Sequence, residues 1–147
     1  MLAAAMTRFS RPEAHRCFVC GPANPIGLHL QFEEEGEGVA ADFTPGELHI
    51  GYEGLIHGGL LAAVLDDAMA NVWAWRGQPA VTVSINVRFR KPVQPGERLR
   101  VSAEPVGARR AAMQRARASI TRPDGTVMAE GDGVVMVGSL PAMMQGA

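Results

Sequence analysis

Apolar and polar residues alternate most strictly between Val81 and Arg90. Val81, Val83, Ile85, Val87 and Phe89 are interleaved there with Thr82, Ser84, Asn86, Arg88 and Arg90. Period two marks a half-buried strand, whose side chains point by turns to its two faces. Immediately upstream the period changes. Leu61, Val64, Leu65, Ala68, Met69 and Val72 recur at three- and four-residue spacing, which predicts a helix from about Gly58 to Trp75. Ala62, Ala63 and Ala70 cover much of its remaining surface, so burial on most sides is expected. Gly77 and Pro79 end it.

Weaker patterns complete the chain. Leu28–Glu34 and Val39–Phe43 read as two strands of a hairpin around Gly36 and Gly38. Pro45 to Gly54 reads as loop. After the long strand, Arg98–Val106, Ala111–Thr121 and Thr126–Val137 read as three more, parted by turns at Pro95-Gly96, Gly107 and Pro123-Asp124-Gly125. The order is two strands, one helix, four strands. Short connections imply antiparallel pairing. The expected class is α+β, with an antiparallel sheet of about six strands wrapped around one long buried helix. Residues 1–16 show no clear period and are expected to form a flexible arm. Residues 17–139 form the domain, and 140–147 a flexible tail.

The composition changes this picture little. The chain has 147 residues, 47% hydrophobic and 20% charged, as one globular domain would. The net charge of −1 speaks against nucleic acid as a partner. His57, Asp66, Asp67 and Asn71 interrupt the longest apolar stretch, which speaks against a membrane span. The apolar Met1–Met6 is too short for the core of an export signal, so a cytoplasmic location is expected. Charge is uneven: ten Arg and one Lys lie between Arg76 and Arg122, against Glu97 and Glu104. A solvated outer sheet face accounts for this, and an anionic ligand is the sharper alternative.

Two features of the helix are chemically odd. His57-Gly58-Gly59 stands at its start, and Asp66 and Asp67 stand in its apolar middle. A helix N-terminus carries unpaired N–H groups and partial positive charge. Glycines admit a ligand close to them, which suits polarisation of a carbonyl oxygen. A buried carboxylate is costly unless paired or useful, and burial favours its acting as a base. Neighbouring side chains diverge by about 100° around a helix, so one aspartate is expected in the chemistry and the other in a polar gap or loop cap. Gly58 and Asp66 are about 12 Å apart along one helix. A reacting carbonyl and its nucleophile must meet within about 3.5 Å. Both ends can therefore serve one substrate only from two chains, so a homodimer with two shared sites is expected.

His57-Gly58-Gly59 followed by Asp66, nine positions after the histidine, resembles the active-site helix of the hot-dog-fold acyl-CoA thioesterases of the phenylacetate-pathway type. The resemblance covers roughly Gly27 to Val137 and includes the strand order. It implies hydrolysis of acyl-CoA thioesters without a cofactor. Asp66 would be general base or nucleophile, and the Gly58 N–H, assisted by Gly59, would polarise the carbonyl. Thr82 matches the place where some relatives carry a serine that positions water. An ordinary polar residue on the outer sheet face is its plainer reading. His57 would orient the loop more than act as base. One departure is Gly51, where some relatives carry an asparagine; either His49 or Tyr52 would compensate, or the mechanism would lean more on Asp66. A non-catalytic acyl-CoA-binding or regulatory module is the alternative. The family also forms tetramers as dimers of dimers.

Other residues are weighed beside these. Arg88, Arg90 and Arg110 are candidates for the phosphates of coenzyme A. Trp73, near the helix end with Trp75, is a candidate for the acyl pocket, core packing being the commoner role at that spacing. Cys17-Phe18-Val19-Cys20 has the spacing of half a zinc site or of a redox pair. Only His15 and His29 lie nearby in sequence, so no metal is assigned. Cys17, Phe18 and Cys20 are expected to anchor the N-terminal arm.

Overall fold

The computed structural model describes residues 14–107, 111–139 and 144–145. The helix α1 runs Gly58–Ala74, and six strands surround it: β1 Glu33–Glu35, β2 Gly38–Phe43, β3 Ala80–Phe89, β4 Leu99–Pro105, β5 Met113–Thr121 and β6 Val127–Val137. All join one antiparallel sheet in the order β1-β2-β4-β5-β6-β3. This is the expected α+β arrangement, a sheet wrapped around one buried helix. The first 13 residues of the expected arm lie outside the described residues, as do all of the expected tail but 144–145. No helix among the described residues is long and apolar enough to cross a membrane.

The first strand is shorter than its pattern suggests. The N–H groups of Leu28 and Leu30 donate to the carbonyls of Phe18 and Val19, each at 2.9 Å. That backbone is thus committed to the Cys17–Gly21 segment and does not join the sheet. Leu30 and Phe32 are nevertheless buried in the core. The loop after β2 also contains a short 3-10 turn, Glu47–His49.

Helix α1 packs against β2 through β6. Leu65, Met69, Val64 and Ala68 are fully covered, and each large side chain so buried stabilises the fold by about 1.5–3 kcal/mol. Gly133 permits the close approach of β6. A Cβ there would lie 2.8 Å from the Ser84 carbonyl oxygen and 3.5 Å from Met69 Sδ.

Consecutive strands do not always neighbour one another. After β3 the chain crosses to the other side of the sheet, where β4 pairs with β2. Among the described residues strand β3 is therefore an edge strand, paired only with β6. Its apolar residues are unusually exposed, Val83 at 52% and Phe89 at 55%.

Candidate active site

The start of α1 is built by His57. Its Nδ1 accepts a 2.8 Å hydrogen bond from the Gly59 N–H and caps the helix. Its carbonyl accepts from the Leu60 N–H. The His57 N–H donates to the His49 carbonyl at 2.9 Å, tying the cap to the preceding 3-10 turn. Gly51 lies behind the ring, where a Cβ would stand 3.4 Å from His57 Cδ2. His49 Nδ1 accepts from the Gly46 N–H, and Tyr52 is exposed. The two glycines are thus unequal. The Gly59 N–H is engaged by the cap, whereas the Gly58 N–H, first in the helix, donates to none of the described residues. Gly58 faces Phe89 at the end of β3, with a Cβ position 3.3 Å from the ring.

The other end of the motif meets the other end of β3. Thr82 Oγ1 donates a short hydrogen bond to Asp66 Oδ1. Strict alternation along β3 would not give Thr82 and Ile85 the same face. The register slips between Thr82 and Ser84, so that Thr82 pairs with Val135 and Ser84 with Val134. Val83 is the extra residue of a β-bulge. Upstream of it Thr82 points in toward the helix; downstream Ile85, Val87 and Phe89 do. Thr82 is thereby an inner-face residue, not one of the outer face. A single bulge places the hydroxyl against the helix carboxylate.

Four arginines of the basic stretch are ion-paired. Arg100 bridges Asp42 and Glu35, Arg117 meets Glu104, and Arg122 meets Glu97. Arg90 is held by Glu130 at 2.5 Å. Arg88 makes no ion pair among the described residues and lines an outer groove of about 590 Å³ with Arg117, Glu104, Glu130 and Asp132. Arg110 lies outside the described residues. Trp73, 6% exposed, packs in the core near the far end of α1.

Asp67 has partners that sequence reasoning missed. The Cys17 thiol donates to Asp67 Oδ1 at 3.4 Å, fifty residues away in the chain. Asn71, fully buried one turn on, donates Nδ2 to Asp67 Oδ2 at 3.0 Å and to the Asp67 carbonyl at 2.8 Å. An asparagine four residues after an aspartate on an apolar helix was the available signal. The Cys17 thiol is pushed down to about 4, chiefly by its hydrogen bond with Cys20; burial opposes this, and the Cys20 and Val19 N–H groups add to it.

A model of the thioesterase superfamily matches residues 53–129, just over half of the chain. A solved thioesterase superfamily protein superposes with a TM-score of 0.73 at 24% identity, over 80% of this chain and 58% of that one. A hypothetical thioesterase from Streptococcus pneumoniae, solved with coenzyme A, gives 0.67 at 21%, over 74% of this chain and 84% of that one. The PaaI protein of the E. coli phenylacetic acid degradation operon gives 0.69 at 18%, over 76% and 81%. Mutant forms of the pneumococcal protein replace by alanine an aspartate and a threonine sixteen positions later. Asp66 and Thr82 are also sixteen apart. No curated protein sequence matches this chain significantly. With the matched segment spanning the helix motif and β3 to β5, and the same fold in those solved structures, this chain belongs to the thioesterase superfamily.

Proposed function

We propose that this protein hydrolyses acyl-CoA-type thioesters to the free acid and coenzyme A. The observation that carries this reading is the Thr82–Asp66 hydrogen bond, which holds a carboxylate at a defined angle on a half-buried helix face. Asp66 either takes a proton from water as it attacks the thioester carbon, or attacks that carbon itself. In both cases the C–S bond breaks and the departing sulfur takes up a proton drawn from water; in the second, water then hydrolyses the acyl–Asp66 anhydride, releasing the free acid and restoring the carboxylate. The Gly58 N–H holds the oxyanion that forms on the carbonyl oxygen. His57 keeps that N–H exposed by capping the helix through Gly59. The coenzyme A bound to the pneumococcal relative supports the substrate class.

The two ends of the motif serve one substrate only across a homodimer. Strand β3 supplies the means, with an unpaired edge and exposed apolar residues. Phe89 sits by Gly58 and Thr82 by Asp66. Two β3 edges paired antiparallel about a two-fold axis near Ile85 and Asn86 set Phe89 opposite the partner's Thr82. Each Gly58 then approaches the partner's Asp66. Arg88 is the better placed arginine for the coenzyme A phosphates, because Glu130 already holds Arg90.

The test is hydrolysis of a series of short, medium, long and aromatic acyl-CoAs, with Asp66→Asn alongside. Loss of the carboxylate is expected to lower kcat by about 10²–10⁴. Binding of acyl-CoA without cleavage of any would instead favour a non-catalytic binding or regulatory module.

A further inference from the structure

We propose that Cys17, Cys20 and Asp67 bind one divalent transition-metal ion, zinc by ligand class, which fastens the segment before β1 to helix α1. The site is separate from the thioester site: Asp66 faces Thr82 on β3, while Asp67 faces the Cys17 turn.

The three side chains are all partly buried, and their ligand atoms lie within 4.8 Å of one another. The Cys17 Sγ to Asp67 Oδ1 separation is 3.4 Å. In a tetrahedral zinc site, with Zn–S near 2.3 Å and Zn–O near 2.1 Å, two such ligands stand about 3.6 Å apart. The atoms already have nearly the spacing of one edge of that tetrahedron.

The backbone around Cys17 is shaped to support a thiolate. The N–H groups of Val19 and Cys20 point at its sulfur, at 3.4 and 3.5 Å. The Gly21 N–H closes the turn onto the Cys17 carbonyl at 2.9 Å. A Cβ at Gly21 would lie 2.2 Å from the Cys17 nitrogen, so only glycine fits. On the helix side, Asn71 orients the Asp67 carboxylate and places Nδ2 3.9 Å from Cys20 Sγ. The amide oxygen of Asn71 is buried without a hydrogen-bond partner among the described residues. The amino group of Asn71 fixes how Asp67 points and lies toward Cys20, the support that metal ligands need from the groups behind them.

Two sulfurs and one carboxylate suit zinc and exclude magnesium and calcium, which take oxygen donors. Uptake of the ion displaces whatever protons the two sulfurs still hold, so that two thiolates and the ionised carboxylate bind one M²⁺. The partial exposure of all three residues leaves the fourth position to water.

The experiment is titration of chelator-stripped, full-length, reduced protein with Zn²⁺ and separately with Co²⁺. One ion per chain is expected. Cobalt should give thiolate-to-metal charge transfer in the near ultraviolet and the intense visible bands of a four-coordinate ion. Zinc should slow thiol modification of both cysteines at least tenfold. Cys20→Ser and Asp67→Asn should each weaken zinc binding by about 100-fold or more, while Asp66→Asn binds it as the parent does. That last variant separates this proposal from the thioesterase reading, since it removes turnover and keeps the metal. If Cys20→Ser fails to fold, the cobalt spectrum and thiol protection of the parent protein still decide. Absence of charge transfer, wild-type zinc affinity in Asp67→Asn, or air oxidation to a Cys17–Cys20 disulfide at one rate with and without zinc would each overturn it.

Discussion

Thr82 and Asp66, sixteen residues apart, are joined by one hydrogen bond from hydroxyl to carboxylate. The bond spans from the edge strand to the buried helix and fixes which way the carboxylate points. Thr82→Val keeps the shape and removes the donor. It is expected to lower kcat by roughly tenfold, with the melting temperature nearly unchanged. Thr82→Ser should recover most of that loss. Steady-state kinetics of the two variants check this; equal loss in both would show that the hydroxyl is irrelevant.

Gly58→Pro tests the carbonyl-polarising group. Proline is favoured at the first helical position, where its missing N–H breaks no helical bond. His57, at φ −61° and ψ 130°, already has the extended backbone that precedes proline. The three heavy atoms nearest a Cβ at Gly58 all belong to the Phe89 ring, which is exposed enough to move. The expected result is a folded protein with kcat lowered by about 10²–10³. Unchanged kcat would remove Gly58 from the mechanism.

Shared sites predict complementation. Asp66→Asn and Gly58→Pro subunits, each nearly inactive, are unfolded together and refolded as a mixture. Random pairing makes half of the dimers mixed, and each mixed dimer holds one intact site of two. Activity should return to about a quarter of the parent value. Sites complete within one chain would recover nothing.

His57 is argued to act through the helix end. His57→Ala should cost about 1 kcal/mol of stability through loss of the cap. His57→Asn, which can cap, should restore stability and keep kcat within a few-fold of the parent. Denaturation and kinetics on the same samples separate this from a proton-transfer role, under which His57→Asn would be stable but inactive.

The Glu97–Arg122 pair sets an acid limit. The Arg122 hydrogen bond, at 2.7 Å, holds the Glu97 carboxyl below the usual range, and the Gln94 N–H adds to this. A carboxyl lowered in the folded state contributes stability above its unfolded value, near 4.3. That contribution is lost as pH falls through the folded value. Glu97→Gln is therefore expected to be less stable than the parent by roughly 1 kcal/mol at pH 7, with the gap closing below about pH 4. Urea denaturation at a series of pH values tests it.

Much of this was legible in the chain. Residues Leu61 to Val72 carry their helix period in plain view, and Asp66 and Asp67 stand out because apolar surroundings make carboxylates conspicuous. Helical rise alone separates Gly58 from Asp66, so that a site using both needs two chains. These are local properties, set by spacings of a few residues that any fold must respect. The direction of Thr82 was not legible. A β-bulge at Val83 depends on how β3 registers against β6, some fifty residues on, and a one-residue slip turns a side chain to the opposite face. The union of Cys17 with Asp67 was equally hidden, since the thiol finds its carboxylate only once the turn packs on the helix. That β3 ends as an open edge follows from β4 pairing with β2, a choice among strands of similar pattern that only burial of the whole core decides. The sequence by itself determined the elements and the residues able to do chemistry. Tertiary structure decided which of them meet, because those contacts depend on pairing register and packing between residues far apart in the chain.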